Sequence, residues 1–159
     1  MAVGSLNPLG SGKHNRHNKA EVFFHSTSTW NIKASYPFHK VIMIFEIVAH
    51  SDSFILFSGT SGSTYDGDTD KIAKYNPASD QWTKIGNLQQ SRRGFGVIKM
   101  DKKFLVIGGR SEALTEGMHT EVCEINNELI KCTSREPTLN EFTYYPALVI
   151  VSSDYADNC

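Results

Sequence analysis

Hydrophobic residues along this chain fall in short segments separated by turn-forming residues. After Lys19, apolar or alternating segments of three to eight residues recur, at 21–24, 41–48, 54–57, 72–75, 96–98, 104–107, 122–125 and 147–151. Stretches rich in Asn, Asp, Ser and Pro, such as 76–80, separate these segments and favour chain reversal. No apolar spacing typical of a helix continues over a dozen residues. The pattern therefore predicts an all-β fold.

A repeat organises the predicted strands. The apolar run 54–57 is followed by Ser58 and Gly59, and the run 104–107 is followed by Gly108 and Gly109, so that Gly59 and Gly109 are 50 residues apart. A second spacing, with six residues between two large or apolar side chains, occurs in three pairs: Phe23 and Trp30, Tyr75 and Trp82, and Ile125 and Cys132. Such repetition at a fixed offset is typical of stacked repeat architectures.

Both features of the repeat have a physical reason. A glycine pair at the end of a strand allows positive φ and a close approach of neighbouring backbone. The two members of each pair can face each other across a hairpin, and we therefore expect Trp30 and Trp82 to pack in the core. Because a single four-stranded sheet cannot bury both of its faces, we expect several such sheets to stack.

The stretch 71–109 resembles a kelch repeat, the unit of a β-propeller family. It contains Tyr75, a six-residue gap, Trp82, the Arg93-Gly94 pair and the Gly108-Gly109 doublet in that order. The flanking copies diverge, since Ile125 stands for Tyr and Cys132 for Trp. The resemblance covers roughly residues 20–151 and implies a partial propeller there. Residues 1–19 are rich in Gly, Ser, Asn, Lys and His and are expected to be flexible, and 152–159 are expected to form a tail. Within the partial propeller we expect an outer hairpin at 20–34, complete four-stranded blades at 40–86 and 94–133, and an inner strand at 146–151.

The number of repeats is small for this architecture. Closed propellers contain about 4 to 8 blades, whereas this chain holds about three repeats. We therefore expect an open arc or a fragment of a longer propeller. An open arc leaves apolar sheet faces exposed, so that self-association through these faces is also expected.

The resemblance implies a non-catalytic module that binds a protein through loops on one face. The residues expected on that face are Tyr65, Asp66, Asp68, Arg92, Arg93, Arg110, Glu112, Glu116 and His119. Mixed charge with one aromatic side chain suits a short protein segment. Two alternatives stay open: a fragment of a catalytic propeller of the copper-radical oxidase or sugar-isomerase type, and a degenerate product without function.

Composition narrows the range of partners. Sixteen Lys and Arg against 17 Asp and Glu give a net charge of −1, which does not favour nucleic acid or anionic lipid. The longest apolar run, 41–49, contains Glu46 and is shorter than the roughly 20 residues that span a membrane. We expect no cofactor and no metal, because the calcium-like spacing from Asp66 to Asp70 places Pro77 where a bidentate Glu is required.

Three cysteines, Cys123, Cys132 and Cys159, lie in the last quarter of the chain. This count allows one disulfide and one free thiol. Cys123 is expected as a buried, unreactive thiol, and a bridge between Cys132 and Cys159 is one pairing that the sequence allows. The absence of a signal-like apolar segment near Met1 favours a cytoplasmic location over secretion, although an N-terminal truncation would hide such a signal.

Overall fold

The computed structural model describes the backbone of residues 2–9, 13–38, 42–57, 59–61, 67–111, 120–135, 146 and 148, and side chains from residue 19 onward except at 42, 43 and 61. These residues form strands and turns, and the described part of the chain contains no helix that could cross a membrane. The all-β prediction is confirmed. The strands are β1 (Ala2–Leu9), β2 (Lys13–Phe24), β3 (Thr29–Lys33), β4 (Ile42–Met43), β5 (Glu46–His50), β6 (Ser53–Phe57), β7 (Thr60–Ser61), β8 (Gly67–Asp68), β9 (Lys71–Asn76), β10 (Gln81–Asn87), β11 (Arg93–Met100), β12 (Lys103–Arg110), β13 (Thr120–Asn126) and β14 (Leu129–Arg135).

Three antiparallel sheets contain eleven of these strands. Sheet 1 has the order β1-β2-β3, sheet 2 the order β10-β9-β6-β5 and sheet 3 the order β11-β12-β13-β14, and a small ribbon pairs β4, β7 and β8. Sheets 2 and 3 lie close to the two four-stranded units expected at 40–86 and 94–133. The N-terminal residues differ from the expectation, because β1 and most of β2 pair over the segment 1–19 that we predicted as flexible.

The three sheets stack with sheet 2 in the middle. Side chains alternate between the two faces of a strand, so β6 can contribute to both interfaces. Ile55 and Phe57 pack with Phe104 and Val106 of sheet 3 in one apolar cluster. Leu56 instead packs with Ala20 of sheet 1 in a second cluster. Sheet 2 is therefore covered on both faces.

Two of the three predicted pairs face each other across a hairpin. Tyr75 lies opposite Trp82 and Phe23 opposite Trp30, with ring centroids 5.0 and 5.4 Å apart. The prediction that both tryptophans belong to the core is wrong for Trp30, which is 55% exposed, while Trp82 is half-buried. Exposure of Trp30 follows from its position on the face of sheet 1 that points away from sheet 2.

The third predicted pair is wrong, because Ile125 and Cys132 do not face each other. Ile125 lies opposite Ile130, and Cys132 lies opposite Cys123. The reason is the turn: Asn127 and Glu128 form a two-residue turn with φ of 47° and 69°, whereas the other two hairpins have four-residue turns. A two-residue turn with positive φ at both positions shortens the hairpin and changes which residues face each other.

The cysteine expectations are corrected by the same register. Cys123 and Cys132 form a disulfide between β13 and β14, so Cys123 is not a free thiol and Cys132 is not bridged to Cys159. Both half-cystines are buried in the cluster between sheets 2 and 3. They occupy the positions that Tyr75 and Trp82 occupy in sheet 2, because Cys123 lies opposite Phe104 as Tyr75 lies opposite Phe54. Cys159 lies outside the described residues.

The glycine doublet adopts the backbone conformation that its residue type allows. Gly108 and Gly109 have φ of 71° and 89°. A Cβ at Gly109 would lie 2.9 Å from the carbonyl oxygen of Arg93, so a side chain at this position would collide with backbone. The Gly108-Gly109 doublet thus lets β12 pass close to β11. Gly59, 50 residues before Gly109, is buried, and its carbonyl accepts a hydrogen bond from Thr69 N at 2.8 Å.

Candidate functional site

The longer connections of sheets 2 and 3 lie at one end of the stack. Each sheet is an antiparallel meander, so the turns at 51–52, 77–80, 101–102 and 127–128 lie at one end, and the strand ends that flank the connections 58–70, 88–92 and 111–119 lie at the other. We call the second end the loop end. Most of the residues predicted to bind a partner belong to these connections.

Arg92, in the connection between the two sheets at the loop end, is completely buried. Its Nη2 donates to Glu121 Oε1 at 2.6 Å and to Gln90 Oε1 at 3.1 Å, and its Nη1 donates to the carbonyl of Gly108 at 3.1 Å. Burial lowers the pKa of Arg92, and the carboxylate of Glu121 opposes this effect. A guanidinium without solvent access cannot touch a partner, so the prediction that Arg92 binds one is wrong.

Glu121, the partner of Arg92, was not identified from the sequence. Its Oε2 accepts a hydrogen bond from Gln89 N at 2.7 Å, and its Oε1 accepts one from Gln90 N at 3.1 Å. The carboxylate is fully buried and connects β13 to the chain that enters β11. A signal was present, since Glu121 shares a strand face with Cys123 and Ile125, and a charge on an apolar face requires a partner.

Arg93, the first residue of β11, is also buried in an ion pair. Its Nη1 lies 2.7 Å from Asp68 Oδ1, and the two side chains are 10% and 2% exposed. Asp68 ends the short strand β8, which follows the connection 62–66. Next to it, Thr60 Oγ1 donates to the carbonyl of Gly67 at 3.1 Å. Arg93 and Asp68 therefore brace the connection, and little of either side chain is exposed to a partner.

Two consecutive arginines thus hold the ends of two loops. Arg93 binds Asp68, just after 62–66, and Arg92 binds Glu121, just after 112–119. Because both guanidinium groups extend from one short segment, the bases of the two loops are fixed relative to each other. Arg110, at the end of β12, is exposed and lies just before the second loop. Five predicted residues lie outside the described residues: Tyr65, Asp66, Glu112, Glu116 and His119.

One group of potential metal ligands occurs near this network. Ligand atoms of Glu121, Cys123 and Cys132 lie within 4.8 Å of one another. The two sulfur atoms are joined in the disulfide, and the carboxylate accepts the hydrogen bonds described above. With the disulfide formed, Cys123 and Cys132 are part of the packing between sheets 2 and 3.

The opposite end, which carries the short turns, contains a cavity of about 530 Å³ between sheets 2 and 3. It is lined by His50, Lys99 and Lys102, together with the β13–β14 turn. His50 Nδ1 is buried without a hydrogen-bond partner, and the centroids of the His50 and Phe104 rings lie 5.6 Å apart. Burial, together with Lys99 and Lys74, lowers the pKa of His50. Lys74 also pairs with Glu128, which joins the two sheets at this end.

Comparisons with known proteins support the fold alone. No family model and no curated protein matches the chain. Among 89 matching chains of solved structures is the structure of YjhT, with a TM-score of 0.67 and 13% sequence identity. The match covers 85% of this chain and 48% of that one. The chain therefore spans about half the length of the structure it resembles.

Proposed function

We propose that this chain is a kelch-type partial β-propeller that acts as a non-catalytic protein-interaction module through its loop end. One observation carries the proposal: Arg92 and Arg93 hold the bases of two neighbouring loops through buried ion pairs with Glu121 and Asp68. Loops presented by a rigid scaffold are the usual location of binding residues.

Four structural features support the kelch assignment. The strand order of sheets 2 and 3 is the consecutive antiparallel order of a propeller blade, and Tyr75 faces Trp82 as expected for the repeat. The Gly108-Gly109 doublet has positive φ, as its proposed role requires. The sheets also stack face to face, which agrees with repeats that bury their apolar faces against one another.

The composition of the loops supports a protein partner. The sequence between Ser61 and Gly67 includes Tyr65 and Asp66, and the sequence between Ser111 and Thr120 includes Glu112, Glu116 and His119. Arg110 adds an exposed cation beside the second loop. Such a mixture recognises a peptide with both basic and acidic groups, because complementary charges give specificity and aromatic side chains give affinity.

The test is affinity capture with cross-linking by three forms of the full chain. In the first variant, residues 112–119 are replaced by Gly and Ser at equal length. The control replaces Ser51 and Asp52, in an exposed turn at the opposite end, with Asn-Gly. Partners that the parent chain captures should be lost with the loop variant and retained with the turn variant, and Arg110→Ala should weaken them about tenfold, as expected for one well-placed cation. Capture that is indifferent to the loop replacement, or equally sensitive to the turn replacement, would contradict the proposal.

A further inference from the structure

The outer face of sheet 3 has the composition of a buried sheet face. Ile98, Leu105, Ile107 and Val122 lie on the face that points away from sheet 2, because Ile98 is opposite Leu105 and Leu105 is opposite Val122. These four side chains are half-buried. They alternate with Val106 and Cys123, which pack against sheet 2.

Sheet 2 shows how such a face is used. Val48, Ile55 and Phe57 hold the positions in sheet 2 that Ile98, Leu105 and Ile107 hold in sheet 3, 50 residues later, with the same register. In sheet 2 these side chains pack against sheet 3, and Ile55 and Phe57 have no exposed surface. The equivalent face of sheet 3 is therefore suited to a further sheet of the same kind.

Later residues of the same chain lie against this face. A Cβ at Gly96 of β11 would lie 2.7 Å from Leu148 Cδ1 and 3.2 Å from Pro146 Cγ. Within the stack, β5 of sheet 2 packs against β11 of sheet 3. Residues 146 and 148 thus lie on the opposite face of β11, where the first strand of the next sheet would pass.

Sheet 1 presents the complementary face at the other end of the stack. Phe23, Trp30 and Ile32 lie on its outer face, with Trp30 55% and Ile32 70% exposed. The equivalent pair in sheet 2, Tyr75 and Trp82, is covered from the side of sheet 1. Tyr36 lies edge-on to Trp82 at 5.3 Å, and the carbonyl of Ala34 accepts a hydrogen bond from Trp82 Nε1 at 2.8 Å.

We propose that a second copy of this chain closes the stack: the outer face of sheet 3 of each copy, together with residues 146 and 148 that lie against its β11 side, packs on the outer face of sheet 1 of the other. Two such interfaces around a two-fold axis form a ring of six sheets, which lies within the range of about 4 to 8 blades for closed propellers. Head-to-tail interfaces close into rings when their rotation permits. The proposal rests on the propeller-type stacking described above, and it is independent of binding at the loop end.

Two observations favour a second copy as the occupant. The match covers 85% of this chain and 48% of YjhT, so the matched parts of two copies together approach the length of that structure. Each interface would also repeat the relation already present between neighbouring sheets of this chain, with an aliphatic face on one side and an aromatic hairpin on the other. The net charge of −1 opposes pairing of two copies only weakly.

The first experiment measures mass in solution by sedimentation velocity and native mass spectrometry over a range of concentrations. We expect a species of about 35 kDa, twice 17.7 kDa. Trp30→Lys places a charge on the outer face of sheet 1, and a Met100→Lys/Leu129→Lys double variant does so on sheet 3, at side chains that are 50% and 63% exposed. Each should raise the dimer dissociation constant by more than about a hundredfold. Ser79→Lys, in an exposed turn, is the control that should leave the dimer intact.

The second experiment mixes the two face variants. In the mixture, the unchanged sheet 1 of one variant can still pack on the unchanged sheet 3 of the other. A mixed pair should therefore form although neither variant dimerises alone, and circular dichroism should show that each variant remains folded.

A chain that stays monomeric at every concentration would overturn the proposal, as would a dimer that survives both face variants. Oligomers larger than a dimer would show that the ring does not close with two copies. A mixture that fails to pair would indicate contacts between like faces, against the head-to-tail arrangement. None of these outcomes depends on partner capture at the loop end, so failure here is distinguishable from failure of the proposed function.

Discussion

Sheets 2 and 3 have the same strand order and the same register between their second and third strands, but they bury different chemistry at matching positions. In sheet 2, Tyr75 faces Trp82, and Ala73 packs against Leu56. In sheet 3, a disulfide takes the place of the aromatic pair, and Glu121 takes the place of Ala73 opposite Val106. The comparison teaches that strand register and alternation of faces define this repeat, while an aromatic contact, a covalent bond or an ion pair can fill the same position.

The largest expected effect concerns Glu121. Glu121→Ala makes this position of sheet 3 resemble Ala73 of sheet 2, but it leaves the buried guanidinium of Arg92 without its carboxylate. We expect the free energy of unfolding to fall by about 3–5 kcal/mol, measured by urea unfolding. The Arg92→Met/Glu121→Leu double variant removes both charges and should lose less. A loss below about 1 kcal/mol for the single variant would mean that Arg92 reaches solvent.

The aromatic pair gives the next largest effect. Trp82→Ala removes the ring contacts with Tyr75 and Tyr36 and the hydrogen bond to Ala34, and should lower the free energy of unfolding by about 3 kcal/mol. Trp30→Ala, at the same position of the first hairpin, should cost less than about 1 kcal/mol in the monomer because the ring is largely exposed. Equal losses for the two variants would contradict the difference in burial.

The disulfide is the counterpart of that pair in sheet 3. A Cys123→Ser/Cys132→Ser double variant should lower the free energy of unfolding by about 2 kcal/mol, since the closed loop is short. Cys159→Ser is the control for loss of a thiol. Mass spectrometry after alkylation without reductant should show one reactive thiol in the parent chain, and three would show that the bridge is absent.

The smallest effect depends on pH and tests how the β9–β10 hairpin contacts Ala34, the residue that follows β3 of sheet 1. Asp80 Oδ1 accepts hydrogen bonds from Tyr75 Oη at 2.6 Å and from Ala34 N at 2.9 Å. These bonds, led by that from Ala34, lower the pKa of Asp80, while burial raises the pKa of Tyr75. A carboxyl with a lowered pKa stabilises the folded state above its unfolded-state pKa, and this stabilisation is lost as the pH falls through the folded-state pKa.

Asp80→Asn should therefore be less stable than the parent chain at neutral pH, and the difference should shrink below about pH 4, near the pKa of an unfolded Asp. Thermal unfolding across this range is the measurement. Asp52→Asn, in an exposed turn, is the matched control for removal of a carboxylate. A difference between Asp80→Asn and parent that is constant with pH would contradict the role of the charge.

Much of the fold could be predicted from the chain because it depends on local patterns. Alternation of apolar residues predicts strands, and the 50-residue offset predicts two matching sheets, since side-chain direction has a period of two wherever a strand forms. The role of Gly108 and Gly109 was also accessible, because positive φ is a local requirement that few residues other than glycine meet.

Register and burial were decided by tertiary structure. The six-residue spacing of Ile125 and Cys132 matches that of Tyr75 and Trp82, yet the two-residue turn at Asn127 and Glu128 pairs Cys132 with Cys123 instead. A spacing along the chain does not reveal which residues face each other until the turn is known. Likewise, Trp30 and Trp82 have the same spacing from a preceding aromatic residue, and only the position of sheet 1 relative to sheet 2 exposes one and covers the other.

The amino-acid sequence by itself determined the strands of sheets 2 and 3, their grouping into repeated sheets and the glycine doublet of β12, because these follow from side-chain alternation and backbone sterics within a few residues. Only the tertiary structure decided that Arg92 pairs with Glu121 and Arg93 with Asp68 at the loop end, and that the cysteines in sheet 3 join each other. These outcomes depend on distances between residues far apart in sequence, such as the 2.6 Å between Arg92 Nη2 and Glu121 Oε1. A buried charge is stable only beside its partner, and stacking of the sheets brings the two together.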